Sequence, residues 1–224
     1  MFSLPSPEAL QDLAGFLAWG LGCVIVGWVL GRTTLGTFRK REAEHRVANR
    51  IEEPGFMPFT YHLISNVTID SSHNKSSRIN HILVCIYGIF VIQVNNRKGD
   101  ISRGAISENF VQTLGRRGSF KKEFNSPVRQ NTSHIISLNE FLHLPQNVFY
   151  NLVIFTGDCN IVSEFGPDVI YLRQLKDYFN KPREVVFDNK KVATIVGLIE
   201  MNRLDRSIDT DEQHNKAIRK HIKK

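Results

Sequence analysis

The chain has 224 residues, of which 42% are apolar and 23% charged, enough for one globular domain with a proper core plus a short membrane segment. A net charge of +7 and a pI near 9.4 suit a polyanionic partner. The three cysteines include no Cys-x-x-Cys pair, which excludes the common zinc and redox motifs, and buried free thiols agree with a reducing compartment.

From the amino terminus, Leu13 to Leu30 carries no charge. About 18 such residues at ~1.5 Å rise nearly cross a ~30 Å hydrocarbon layer, so the segment reads as a transmembrane helix with Trp19 and Trp28 toward the two interfaces. Glu8 and Asp12 precede it, whereas Arg32, Arg39, Lys40 and Arg41 follow. The basic flank places the amino terminus outside and the remainder in the cytoplasm, as a single-pass protein of the inner (cytoplasmic) membrane. A cleaved signal peptide fits less well, because no Lys or Arg precedes the apolar run and no small-x-small site closes it. A buried core helix is the competing reading.

Thr37 to Glu53 is rich in helix formers, with Val47 and Ile51 at helical spacing, and Pro54-Gly55 ends it. Phe59 to Ile69 alternates as a strand. Ile79 to Ile86 and Ile89 to Val94 are β-branched runs joined through Tyr87-Gly88, the second apolar on both faces as a covered central strand would be. Asn109 to Lys122 is polar and basic, and predicts irregular or edge structure. Pro127 to Leu142 predicts a helix with Ile135, Leu138, Phe141 and Leu142 on one side. Val148 to Phe155 predicts a buried strand, Val169 to Phe179 a helix, and Lys190 to Leu204 a helix whose stripe is Val192, Ile195, Val196 and Ile199. Strands interleaved with helices indicate an α/β domain with a mixed central sheet. No internal repeat is present, and Arg219 to Lys224 forms a basic tail.

The most informative stretch is Arg78-Ile79-Asn80-His81-Ile82-Leu83-Val84 followed by Gly88-Ile89-Phe90-Val91-Ile92-Gln93-Val94-Asn95-Asn96-Arg97-Lys98-Gly99. It resembles the nuclease-related domain (NERD) family of the restriction-endonuclease-like superfamily, in which an Ile-Asp-His strand turns into Gly-Ile-Phe-Val-Ile, then Glu-x-Lys-Asn and Lys-Gly. Phe124, Asn125, Pro127, Gln130, Asn131, His134, Ile135 and Leu138 continue the resemblance, with Ser126 where the family has Asn. Upstream, Glu44 and Val47 fit the family's Gly-Glu helix, with Ala43 in place of Gly. The match runs over about residues 41 to 142. It implies a restriction-endonuclease-like mixed central sheet flanked by helices, here preceded by one transmembrane helix. The expected divisions are an extracytoplasmic segment 1–12, the membrane helix 13–30, a basic linker 31–40, the NERD-like domain 41–180 and a helical extension 181–224.

In the family, the Asp and the Glu-x-Lys are thought to hold a divalent metal for phosphodiester cleavage, and these positions map onto Asn80, Gln93 and Asn95. Hard cations prefer anionic oxygen, which amides do not supply, and a neutral amide does not replace the lysine in stabilising the transition state. The residues therefore point to a degenerate site, with no metal or other cofactor expected. In a strand, Gln93, Asn95 and Arg97 share a face, so Arg97 is a candidate replacement cation. The bland reading is an amide network bonded to itself and the backbone. His81 and His134 are expected in hydrogen-bonding roles.

For nucleic acid, the candidate contacts are Arg97, the cluster Arg116, Arg117, Lys121 and Lys122 beside Phe120, and Gln130. A solvated basic loop is the alternative for the cluster, and helix packing for Gln130. The function implied is nucleic-acid or protein-partner binding at the membrane. One rival is an active Mg²⁺ or Mn²⁺ nuclease that uses Glu44 with migrated acids such as Asp70, Asp100 or Glu108. The other is a protein-interaction scaffold without nucleic-acid affinity.

Overall fold

The computed structural model describes residues 7–70, 77–104, 109–115 and 118–204; within its first helix the side chains of 7–18, 25–27, 29–30 and 32–33 lie outside that description. The chain divides into two compact units, Met1–Glu42 and Ala43–Lys224. A single helix, α1 (Pro7–Glu52), supplies all the described structure of the first unit and its last turns to the second. The sequence predicts two helices here, but no proline separates them, and α1 runs on through Gly31 and Gly36. Leu13 to Leu30 lies within α1, with many of its side chains outside the described residues. Among the described residues no helix is long and apolar enough to cross a membrane.

The second unit is built on β1 (Tyr61–Ile69), β2 (Ser77–Cys85), β3 (Gly88–Asn95), β4 (Gly99–Arg103), β5 (Asn109–Leu114), β6 (Phe120–Asn125), α2 (Pro127–Leu142), β7 (Phe149–Phe155), β8 (Cys159–Ile161), β9 (Val169–Tyr171), α3 (Leu175–Phe179) and α4 (Asn189–Asn202). The main sheet has the order β1-β2-β3-β7-β9; the first three strands pair antiparallel, and β7 pairs parallel with β3 and with β9. A second sheet has the order β6-β5-β4-β8.

Strand alternation divides β3 between two cores. Phe90, Ile92 and Val94 pack with Val47 and Ile51 of α1, while Ile89 and Val91 pack with Leu138 and Leu142 of α2 and Ile195 and Ile199 of α4. This is the doubly covered central strand that the sequence predicts. Because α4 buries its stripe in the same core, residues 189–202 are part of the domain's helical layer. A third cluster, of Val153 and Phe155 with Ile101 and Phe110, joins the two sheets.

Local chemistry fixes the boundaries. Ser126 caps α2, accepting from the Arg129 N–H at 3.3 Å, and Pro127 opens the helix where its missing donor costs nothing. Asp188 caps α4 through the Lys191 N–H at 2.6 Å. Gly88 takes a φ of +136° in the β2–β3 turn, against the Val148 carbonyl, where a side chain would not fit.

One expectation is corrected and one is decided between its alternatives. Val169 to Phe179 is not one helix: Val169–Tyr171 adds to the free edge of β7 with Ile170 buried, a 3-10 turn follows, and only Leu175–Phe179 is α-helical. Of the two alternatives for Asn109 to Lys122, edge structure holds and irregular structure does not: its described residues form β5 and part of β6 as an antiparallel pair, with β6 at the edge of the second sheet.

Candidate functional site

The cross-strand pairing of β2 with β3 stops at His81↔Ile92, and Asn80 turns its side chain into the seam beyond. Its Oδ1 accepts from the Val94 N–H at 2.9 Å, replacing the ladder bond that the diverging strands lose. Its Nδ2 donates to the Glu44 carboxylate at 2.7 Å. Asn80 is 5% exposed, so each bond satisfies a group that would be costly to bury alone. Two positions 36 residues apart are thus joined by a charge-assisted hydrogen bond.

His81 ties the same helix to the same strand. The ring is 3% exposed; Nε2 lies 3.1 Å from the Glu44 carbonyl oxygen and Nδ1 2.8 Å from the Ser65 hydroxyl. A carbonyl only accepts, so Nε2 carries the proton and, in the neutral ring, Nδ1 accepts from Ser65. Burial pushes the His81 pKa down to about 4, and nearby His45 adds to the effect against the opposing bond to Glu44. The imidazole is therefore neutral at pH 7, in the hydrogen-bonding role expected of it.

Gln93 and Asn95 alternate onto the face of Val91, opposite Val153 and Phe155 of β7. Among the described residues no hydrogen bond joins either to Asn80, so the amides do not form the mutual network that the sequence suggests. Gln93 Oε1 is buried without a hydrogen-bond partner among the described residues. Beside it, fully buried Asn131 of α2 donates to the Val91 carbonyl at 2.6 Å and to Asn151 Oδ1 at 2.8 Å, clamping helix to sheet.

Arg97 makes its contacts on the second sheet. Its guanidinium lies 3.7 Å over the Phe124 ring, and Nη1 donates to Gln112 Oε1 at 3.1 Å. Lys121 and Lys122 are exposed on β6; Arg116, Arg117 and Glu108 lie outside the described residues. Asp70 is exposed just past β1, and Asp100 accepts from Asn160 on the second sheet, so the hydrogen bonds of Asn80 go to neither. Gln130 lines a separate polar pocket of about 340 Å³ at the start of α2 with Arg129, Ser126, Asn109, Asn125 and Ser133. Ser65 and Gln112 complete these arrangements without having been marked by any sequence signal for a site, and Phe124, which carries part of the resemblance, enters through its ring; all three roles depend on pairing across strands.

The fold is a mixed sheet between helices, with a helical carboxylate brought to the start of the second strand. The chain belongs to the nuclease-related domain family, whose sequence profile matches residues 39–156 and which falls within the restriction-endonuclease-like superfamily. It is also similar to an uncharacterized protein of Bacillus anthracis, 25% identical over 157 residues that cover 68% of this chain and 72% of that one. No solved structure matches it.

Proposed function

We propose that this protein is a membrane-tethered nuclease-like domain that binds nucleic acid without cutting it. The observation that carries the reading is the 2.7 Å bond from Asn80 Nδ2 to Glu44. Two carboxylates at that separation would repel unless a cation lay between them, and one would stay protonated. An amide turns the repulsion into a hydrogen bond that needs no cation.

The donor set does not fit the divalent metal that the family implies. Mg²⁺ and Mn²⁺ favour anionic oxygen, and the positions concerned offer one carboxylate already engaged by an amide, an Asn80 oxygen already engaged by Val94, and the neutral Gln93 and Asn95. Without a cation or the lysine, little is left to stabilise the charge of a pentavalent phosphate.

Tethering is supported by the uncharged run Leu13 to Leu30 and its basic flank. The described side chains there are strongly exposed for apolar groups, with Trp19 at 78%, Val24 at 69% and Trp28 at 63%. That flank directs the amino terminus outward and the nuclease-like unit to the cytoplasm. Nucleic acid as partner is supported by the +7 charge, exposed Lys121 and Lys122, and the polar pocket of Arg129 and Gln130.

The test is cleavage of single- and double-stranded DNA and RNA by the full-length protein in detergent with Mg²⁺ or Mn²⁺, beside the Asn80→Asp, Gln93→Glu, Asn95→Lys variant. The natural protein is expected to leave every substrate intact while the variant cuts in a chelator-sensitive way. Chelator-sensitive cutting by the natural protein, lost in Glu44→Ala, would overturn the reading in favour of a rearranged active site.

A further inference from the structure

Arg97 is a half-buried cation with an unusual set of neighbours. Its guanidinium stacks on Phe124 at 3.7 Å and gives one hydrogen bond, to Gln112, out of the five N–H donors that such a group carries. Among the described residues no carboxylate pairs with it. Burial alone acts on the group and pulls its pKa down. An arginine so placed has paid part of its desolvation without an internal anion to offset it, a state better suited to receiving an anionic ligand than to stabilising the fold.

The surroundings hold it in place. The Gln112 amide is fixed at both ends, accepting from Arg97 and donating to the Lys98 carbonyl at 2.7 Å. In the β5–β6 register Phe124 stands opposite Phe110, Lys122 opposite Gln112 and Phe120 opposite Leu114. Residues two apart in a strand share a face, so Phe120, Lys122 and Phe124 form a row along the edge strand, with Arg97 seated on the inner end. The outer end is open: Lys122 is exposed and Phe120 is 55% exposed. Two cations and then a bare aromatic ring thus follow one another along one line.

We propose that this row is a subsite for single-stranded nucleic acid, with Arg97 and Lys122 holding backbone phosphates and Phe120 stacking an unpaired base. The inference rests on the nucleic-acid-binding reading and sharpens it. An exposed ring at the end of a row of cations stacks on a free base face, which a duplex hides, whereas the phosphate contacts are common to both.

The experiment measures binding of a fluorescent oligonucleotide of about 20 nucleotides, single-stranded and as a duplex, to the full-length protein in detergent between about 50 and 200 mM salt. The variants are Arg97→Gln, Lys122→Gln and Phe120→Ala, and vesicles rich in anionic lipid are run in parallel. The single strand is expected to bind more tightly than the duplex. Arg97→Gln and Lys122→Gln should each reduce the log–log salt slope by about 0.7, and Phe120→Ala should weaken binding roughly five- to hundred-fold with the slope kept. Lys122→Gln and Phe120→Ala change exposed side chains, so their result stands even where loss of the Arg97 stack lowers stability. Binding by the natural protein that none of the three variants alters overturns the subsite and leaves nucleic-acid binding in place. Absence of binding to either oligonucleotide overturns both. Vesicle binding weakened by Lys122→Gln and Phe120→Ala, with the single strand ignored, makes the row a lipid contact and overturns the proposal.

Discussion

Acidification from pH 7 to 5 tests the seam at His81. The imidazole is buried between Ser65 and the Glu44 carbonyl, and its pKa is about 4, against the ordinary 6.5. Because the folded value is depressed, the unfolded chain binds more protons between those two values. The stability contributed by keeping the ring neutral is thus complete above about pH 6.5 and declines as pH falls toward 4. Linkage gives a loss of about 2 kcal/mol by pH 5 and about 3 kcal/mol by pH 4. For a domain of this size, about 2 kcal/mol lowers Tm by roughly 4–8 °C. The chain has 8 histidines, so the assay compares thermal unfolding of the natural protein with His81→Gln across this range. Gln still offers a donor to Glu44 but does not titrate, and its profile should be flatter by about the stated amount. Parallel profiles would refute the assignment of a neutral, doubly hydrogen-bonded imidazole.

Three further outcomes follow from the packing. Asn131→Asp sets a carboxylate against the Val91 carbonyl and Asn151 Oδ1 and should cost about 3–5 kcal/mol in urea unfolding. Arg183 lies over the Tyr178 and Phe90 rings at 4.9 and 5.1 Å and donates to the Tyr178 carbonyl at 2.7 Å; Arg183→Ala should lose about 2–3 kcal/mol in the same assay, with Arg183→Lys restoring only part because it lacks the planar fork. A Cβ at Gly157 would overlap the Arg97 carbonyl oxygen, so Gly157→Ala should destabilise by about 3 kcal/mol or more, read as lost Tm or failure to accumulate.

The parts of the fold legible in the sequence were those with strong periodicity or clear punctuation. The β2–β3 hairpin, α2 between Pro127 and Leu142, and β7 emerge within a residue or two of their expected limits, because each couples an apolar pattern to a cap, a Pro or a Gly. Of the second sheet only its edge character was legible: β4 and β8 have five and three residues, and Phe120–Asn125 has too little alternation of polarity to announce a strand. Val169-Ile170-Tyr171 reads equally well as helix or strand, and only the open edge of β7 decides. At the site, resemblance selected Asn80 and Glu44, but their contact depends on a helix crossing a strand 36 residues away. Arg97 was expected near Asn80 by strand alternation. Its partners Phe124 and Gln112 belong to the sheet that the sequence did not disclose, which is why it lies elsewhere.

Calorimetric titration of Mn²⁺ into the full-length natural protein and into the Asn80→Asp, Gln93→Glu, Asn95→Lys variant tests the central claim most directly. Replacement of the metal site by the Asn80–Glu44 hydrogen bond predicts no saturable heat for the natural protein and stoichiometric binding by the variant. Stoichiometric binding by the natural protein, abolished by Glu44→Gln, would contradict it.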